Sequence, residues 1–281
     1  MRSRTSAVAS LAFLCRAVLA SFVLLLALPA ISRAQQLEDF DQYKLRIDTY
    51  WFYSTPSGSV QGSSDQVPVD FQKDLGFNPY STFAARADWK FTRRNHFYIA
   101  ASNFNSTRQK VLERTITFQG QTFEVNTSVR SDLHAFVIAP GYQFDIIRRR
   151  RGHLGIGVQA DLFNSSAKIT AAVQAGGSGA ATTAKASLLA PIPVAGPDYR
   201  IYLTNSPRLF LEGNVYGMYF FGYGNFVSTT DTLGLTVNKH ISLNLGYQLG
   251  SRLVVTNSAS ADRLGLRLTQ QGAIAGAEFS F

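Results

Sequence analysis

Residues 43–53 read Tyr-Lys-Leu-Arg-Ile-Asp-Thr-Tyr-Trp-Phe-Tyr, with apolar or aromatic side chains at most odd positions and polar ones at most even positions. Successive side chains of a β-strand point to opposite faces, so this stretch predicts a strand with one apolar and one polar face. The same period of two recurs at residues 82–91, 154–162 and 240–248, and we therefore predict an all-β chain. The ten segments predicted as strands are 43–53, 81–91, 96–105, 131–146, 153–163, 187–203, 208–221, 229–238, 240–249 and 264–281.

The composition is that of a folded chain with few charges. Of its 281 residues, 46% are hydrophobic and 16% are charged, whereas soluble domains contain roughly 25% charged residues. Disorder requires low hydrophobicity and high net charge, so it is excluded for most of the length. The single cysteine, Cys15, excludes an internal disulfide and a cysteine metal cluster.

The first residues have the pattern of a secretion signal. Two arginines precede a mostly apolar stretch at 8–28, and small residues stand at positions 32 and 34. This order predicts export and cleavage after Ala34, leaving residues 35–281 as one domain. A retained N-terminal membrane anchor is the alternative, which Arg16 within the apolar stretch disfavours.

Removal of this signal changes the charge that a partner would meet. The segment carries four arginines and no acidic residue, so the net charge falls from +9 to +5. A basic chain can indicate nucleic-acid binding, but an exported protein meets no nucleic acid. We expect neither a nucleic-acid partner nor a cofactor.

Alternation alone does not decide which face of the strands is outside. A soluble barrel buries its apolar face, whereas a membrane barrel turns that face toward lipid. Aromatic residues stand at the ends of the apolar faces, as Tyr43, Trp51 and Tyr53 do on the first strand and Trp89 and Phe91 on the second. Rings at the level of the lipid headgroups are typical of membrane barrels.

The connections alternate in length, as periplasmic turns and extracellular loops of membrane barrels do. One long connection contains a further predicted hairpin around Gly120. The short connections are 92–95, 147–152, 204–207 and 239, and the long, polar ones are 54–80, 106–130, 164–186, 222–228 and 250–263.

The chain ends in Gly276-Ala-Glu-Phe279-Ser-Phe281, an alternating segment with a terminal aromatic residue. In this ending, and in its secretion signal and loop pattern, the sequence resembles bacterial outer-membrane β-barrel proteins. The resemblance implies that Gly276, Phe279 and Phe281 form the signal read by the barrel-assembly machinery. Ile274 departs from the family pattern, which favours a polar residue there.

This resemblance implies a closed, antiparallel, transmembrane up-and-down β-barrel in contact with outer-membrane lipid. Both termini would face the periplasm, which requires an even number of strands. Our segments give about ten strands, with eight as the alternative.

Two predicted strands change phase midway, which predicts a β-bulge in each. Their apolar residues move from odd to even positions across Pro140-Gly141 and from even to odd across Gly196-Pro197. Pro191 and Pro193 are unfavourable in any ladder, because proline has no N–H to donate.

The polar faces predict a cluster of charges in the lumen. If the first two strands are neighbours, Asp48 lies opposite Arg86, Arg46 opposite Asp88, and Lys44 opposite Lys90, with Glu278 near enough to compensate the two lysines. We interpret this cluster as a brace that fills a narrow barrel, and a charged constriction for small solutes is the alternative. The predicted lumenal charge cluster is Lys44, Arg46, Asp48, Arg86, Asp88, Lys90 and Glu278.

The histidines do not predict a metal site. His96, His153 and His240 are expected on the inward face at the periplasmic mouth, and His134 inward on the extracellular side. Because the first three come from strands that are not neighbours, we expect no metal binding.

Enzymatic patterns are weak. His240 and Ser242 share a strand face, as in lipid-A-modifying barrels, but no carboxylate has a suitable spacing. The acidic pairs of the omptin proteases are also missing from the long loops. We therefore predict a protein without catalytic residues.

The function predicted is that of an outer-membrane barrel with polar extracellular loops, a mostly plugged lumen and a structural or surface role. The alternatives are a narrow channel for small solutes and an adhesin-like barrel that binds a surface ligand. A soluble secreted barrel for an apolar ligand is a further alternative, which requires the Leu, Ile and Val faces to point inward.

Overall fold

The computed structural model describes residues 40–62, 67–171, 181–206, 208–222, 224–256 and 264–281. The predicted signal peptide and the cleavage site after Ala34 lie outside these residues. No helix long and apolar enough to cross a membrane occurs in the part of the chain that is described. The strands are β1 (Leu45–Gly62), β2 (Val69–Asp70), β3 (Tyr80–Lys90), β4 (Asn95–Val111), β5 (Ile116–Phe118), β6 (Gln121–Phe123), β7 (Ser128–Arg149), β8 (Gly152–Ala171), β9 (Thr183–Tyr202), β10 (Arg208–Phe220), β11 (Gly224–Thr236), β12 (Ile241–Val255) and β13 (Leu264–Ser280).

Ten of these strands, β1, β3, β4 and β7–β13, form one closed antiparallel barrel. Each pairs with its neighbours in chain order, and β13 returns to pair with β1 from Arg46↔Ser280 to Gly62↔Leu264. Closure matters because hydrocarbon offers no water to satisfy the backbone groups of an open sheet edge. The prediction of ten strands is confirmed, and the alternative of eight is wrong.

The apolar faces of the strands point outward. Leu45, Ile47, Leu243 and Leu245 have exposed fractions between 37% and 67%, whereas Arg46, between the first two, is 2% exposed. A soluble barrel would show the reverse. The outer wall therefore suits lipid, and the soluble arrangement is wrong.

Aromatic side chains mark the rim that holds the short turns and the C-terminus. Following the expectation above, we call this end periplasmic and the opposite end extracellular. Trp89, Phe91 and Phe97 are about half exposed near the ends of β3 and β4. Amphipathic rings at this level are typical of the headgroup region of a membrane.

The predicted changes of phase in β7 and β9 are wrong. On β7 the odd positions face the interior throughout, from Val129 to Asp145, and its irregularity lies between Asp145 and Ile147. On β9 the even positions face inward from Ala184 to Tyr202. Apolar residues on these strands therefore line the extracellular half of the interior. His134, predicted inward, is exposed on the outer face of β7.

Pro191 and Pro193 lie in the part of β9 that pairs with β8 but not with β10. The ladder between β9 and β10 ends at Ala195↔Gly217, whereas the ladder between β9 and β8 continues to Thr183. Both prolines lie beyond the last pair between β9 and β10. Their missing N–H groups therefore remove no hydrogen bond from the ladder between these two strands.

Most strands extend further than predicted on the extracellular side. The predicted long connection at 222–228 is wrong, because β10 ends at Phe220 and β11 begins at Gly224. Gly224 has a φ of 153°, and a Cβ there would lie 1.7 Å from the carbonyl oxygen of Val254. This close approach of the backbones requires glycine.

Two extracellular segments, 67–79 and 112–127, form what we call the cap. The second, which we call the hairpin segment, contains the predicted hairpin, which is confirmed as β5 and β6. The cap inserts aromatic side chains into one apolar cluster with the inner faces of β7–β9. The cap residues that are almost fully buried there are Val69, Phe71, Leu75, Phe77, Leu112, Ile116, Phe118 and Phe123.

Candidate functional site in the barrel interior

The periplasmic half of the interior is filled by ionisable side chains, which we call the floor. They come from eight of the barrel strands and from the residues before β1. Their side chains contact one another and are almost fully shielded from solvent. The floor consists of Asp41, Arg46, Asp48, Asp88, Lys90, His96, Asp145, His153, Asp198, Arg200, Glu212 and Glu278.

The register between β1 and β3 places the predicted charges opposite one another. Asp48 lies opposite Arg86, and Arg46 lies opposite Asp88. The Arg46 guanidinium approaches Asp48 at 3.3 Å and, from the far wall, Glu212 at 3.2 Å. Arg86 donates to Asp88 at 3.0 Å. Charges of both signs thus interlock across the lumen.

Two predictions about the lysines are wrong. Lys44 is exposed and does not belong to the floor, because it precedes β1 at the rim. Lys90 is buried, and its Nζ lies 3.1 Å from the Asp41 carboxylate and 3.9 Å from the centre of the Tyr43 ring. Glu278 compensates neither lysine, since its partner is Arg200 at 2.6 Å.

Residues 40–44 close the periplasmic mouth. Phe40 packs edge-on against Tyr202, with the Arg150 and Arg208 guanidinium groups over its ring. Asp41 contacts His153 at 3.0 Å as well as Lys90. Burial alone would raise the pKa of Asp41, but Lys90 and His153 hold it well below its usual range. The carboxylate therefore stays charged and keeps this segment in the mouth.

Two histidines are held between carboxylates. His96 lies between Asp88 at 3.2 Å and Asp145 at 3.0 Å. His153 lies between Asp41 and Asp198, the latter at 3.3 Å.

The two rings are 5.9 Å apart although β4 and β8 are not adjacent strands. Across the described residues, no group of His, Cys, Asp and Glu side chains is arranged to hold a metal ion.

His240 does not point into the lumen as predicted. It is exposed on the turn before β12, where its Nδ1 lies 2.8 Å from the Ser280 carbonyl oxygen. The Ser242 hydroxyl bonds to Thr236 at 3.4 Å. The two residues thus have separate partners, and the contacts of this pair give no nucleophile activated by a base.

Sequence reasoning missed Asp41, Asp145, Asp198, Arg200 and Glu212. The last four carried a usable signal, because each stands among the polar residues of a strand whose other face is apolar, as Arg46 does. Asp41 carried none, since it precedes the first predicted strand.

An interior cavity of about 390 Å³ lies above the floor. Its wall includes Arg86, which bonds to the floor, and Phe71 of the cap, so the cavity lies between the two. The wall is polar near Arg86 and becomes apolar toward the cap. The interior is thus divided into a charged floor, a cavity and an apolar cap.

The residues of the predicted assembly signal lie together at the end of β13. Phe279 is 37% exposed on the outer wall and Phe281 is exposed at the rim. Gly276 faces inward, where a Cβ would lie 2.8 Å from the Tyr50 ring. Their role in assembly stays a prediction.

Comparisons with known proteins give a match of fold and not of sequence. No family model matches the chain, and no curated protein matches its sequence. The crystal structure of the outer membrane protease OmpT from Escherichia coli is similar with a TM-score of 0.51 at 11% identity, over 86% of this chain and 100% of that one.

Two further outer-membrane structures align with lower scores. The transport unit of the autotransporter AIDA-I from E. coli has a TM-score of 0.43 at 12% identity, over 91% of this chain and 94% of that one. The attachment invasion locus protein Ail of Yersinia pestis has a TM-score of 0.35 at 9% identity, over 85% and 99%.

The protein therefore has the fold of bacterial outer-membrane β-barrel proteins. That fold and the apolar outer wall together support the predicted outer-membrane location.

Proposed function

We propose that this protein is a non-enzymatic outer-membrane barrel whose lumen is sealed to solutes and whose role is at the cell surface. Outer-membrane lipid surrounds it, and the barrel-assembly machinery inserts it by reading Gly276, Phe279 and Phe281. The cap is then the part of the molecule that meets partners outside the cell.

The observation that carries this proposal is the density of the floor. Arg46, His153 and Arg200 each lie against a carboxylate at the periplasmic end, and their side chains are 1–2% exposed. A narrow channel needs a continuous path of water past its charged constriction. Side chains in direct contact with opposite charges across the lumen leave no such path.

The cap adds a second closure. Arg114 of the hairpin segment donates two hydrogen bonds to Asp74 of the other segment, at 2.8 and 2.5 Å. This pair joins the two cap segments above the apolar cluster. Beside it, Lys110 Nζ and Glu113 form an ion pair at 3.1 Å, in which Glu113 is 80% exposed. A surface role is supported by this charged outer side of the cap.

Conductance tests the proposal. The purified, folded full chain is inserted into planar bilayers, and we expect no steady ohmic current, because the floor blocks the lumen. Insertion is checked independently by floating the protein with lipid vesicles. A reproducible conductance that is abolished by unfolding the same sample before reconstitution would favour the channel and reject the sealed barrel.

A further inference from the structure

The wall of the cavity carries a carboxylate without a basic partner. Asp161 projects from β8 into the cavity and is 8% exposed. It receives one hydrogen bond, from the Gln159 amide at 2.6 Å, and no cationic group of the described residues lies close enough to pair with it. Buried carboxylates normally have a cationic or multiply hydrogen-bonded environment. Asp161 is therefore unlike the carboxylates of the floor.

The neighbours of Asp161 fix which of its oxygens is available. The Tyr98 hydroxyl donates to Gln159 Oε1 at 3.0 Å, which turns the Gln159 NH₂ group toward Asp161 Oδ1. Ile192 lies directly opposite Asp161 on β9 and offers no donor. Asp161 lines the cavity, and among the described residues no donor bonds to its Oδ2. We therefore take Oδ2 as the oxygen available to a ligand.

The remaining cavity wall suits an apolar body. It includes the rings of Phe104, Phe163 and Phe226 and the aliphatic side chains of Val137 and Ile192. A volume of about 390 Å³ lies within the usual range for small-molecule sites. Aromatic faces also attract cations.

Arg86, the only cation that the described residues place in the cavity wall, is already engaged. Arg86 donates to Asp88 at 3.0 Å and to Gln143 at 3.4 Å, and its guanidinium lies 3.9 Å from the centre of the Tyr98 ring. An anionic ligand would have to compete with Asp88 and would be repelled by Asp161. Charge complementarity thus favours a cationic ligand.

We propose that the cavity binds a small amphipathic organic cation, with its ammonium group on Asp161 Oδ2 and its apolar body among the aromatic rings. This site goes beyond the sealed, surface-exposed barrel proposed above and does not depend on it, because binding and conductance are measured separately.

Equilibrium dialysis tests the site, with the folded full chain in lipid nanodiscs and protein-free nanodiscs as the blank. The probes are phenethylammonium, its neutral isostere phenethyl alcohol and the anion 3-phenylpropionate. We expect the ammonium to bind at least about tenfold more tightly than the alcohol, as hydrogen bonds to charged groups exceed neutral ones. The anion should bind most weakly.

The Asp161→Asn variant keeps the shape of the site and removes its charge. It should weaken phenethylammonium binding about tenfold and leave the alcohol unchanged. The matched control is Asp132→Asn, which should change neither affinity. Asp132 is a partly exposed carboxylate that bonds to Thr107 and Arg130. Val137→Phe, which fills part of the cavity, should weaken both probes. Heat-dependent mobility on gels shows that each variant is folded.

Three results would overturn the proposal: no saturable binding of phenethylammonium, equal affinity for ammonium and alcohol, or unchanged ammonium affinity in Asp161→Asn. Preferential binding of 3-phenylpropionate would assign the cavity to anions and reject it as well.

Discussion

Arg200 and Glu278 illustrate how single charges are kept inside this barrel. Arg200 on β9 reaches Glu278 on β13 at 2.6 Å, and its guanidinium also lies 3.8 Å from the centre of the Phe210 ring. Two buried charges lose their hydration, so such a pair contributes little net stability compared with apolar residues. Losing one member is different, because the other charge is then left buried and unpaired.

The variant Glu278→Gln measures that difference. We expect it to lower the free energy of unfolding by about 3 kcal/mol, read from the midpoint of urea unfolding followed by tryptophan fluorescence. Asp132→Asn is the control, since it breaks an ion pair with Arg130 in which both side chains are substantially exposed, and should cost less than about 1 kcal/mol. Equal effects of the two variants would show that the floor is hydrated.

Between elements, an ion pair joins the two segments of the cap beside their apolar cluster. Burial alone would raise the pKa of Asp74, but the hydrogen bonds from Arg114 and from the Asp70 N–H hold that pKa below its usual value. A lowered folded-state pKa means that the pair stabilises the cap fully above the ordinary Asp pKa of about 4. This contribution is lost as the pH falls through the lowered value.

Hydrogen exchange of the amides in 67–79 checks this dependence. At pH 7 the unmodified protein should exchange more slowly than Asp74→Asn, and the ratio of their protection factors should fall toward one below about pH 4. Arg114 is 45% exposed, so solvent screening keeps the effect modest. A ratio that does not change with pH would show that the apolar cluster alone holds the cap.

The strands also show where sequence reasoning succeeds. The alternation at 43–53 and 82–91 predicted both the strands and the register of Asp48 with Arg86, because these segments lie where lipid is outside and charge is inside. The same rule failed on β7 and β9. Leu133 and Val137 face inward because the cap supplies an apolar interior at that level. The apolar residues of a regular strand therefore move from one face to the other, which the sequence analysis interpreted as a change of phase.

The site was less predictable than the fold for a related reason. Pairs such as Arg200 with Glu278 join distant strands across the lumen, and a single sequence contains no signal for contacts that depend on barrel size and stagger. Asp41 is placed by tertiary contacts alone, since it belongs to no strand. Lys44 was included in the predicted cluster only because it continues the alternation of β1 toward the N-terminus, one residue before the strand begins.

At the scale of the whole molecule, the sealed barrel that we propose has two closures of different kinds: charges in contact below the cavity and apolar packing above it. The two closures can be separated, because the hairpin segment connects β4 to β7 next to their last pair, Val111↔Ser128. Replacing residues 113–126 with a short Gly-Ser linker should therefore leave the barrel ladder intact. It should open the extracellular half of the interior and leave the floor closed.

Cysteine labelling follows this opening, because Cys15 in the predicted signal peptide is the only cysteine of the chain. On β9, Leu188 faces the apolar cluster and is buried, whereas the charged Lys185, nearer the extracellular end, is exposed on the other face. With a membrane-impermeant maleimide, Leu188→Cys should react only when the hairpin is absent, and Lys185→Cys should react in both backgrounds. Conductance should stay absent throughout, because charges in contact still fill the lumen below. Current through the hairpin-deleted barrel would show instead that the cap is its only barrier.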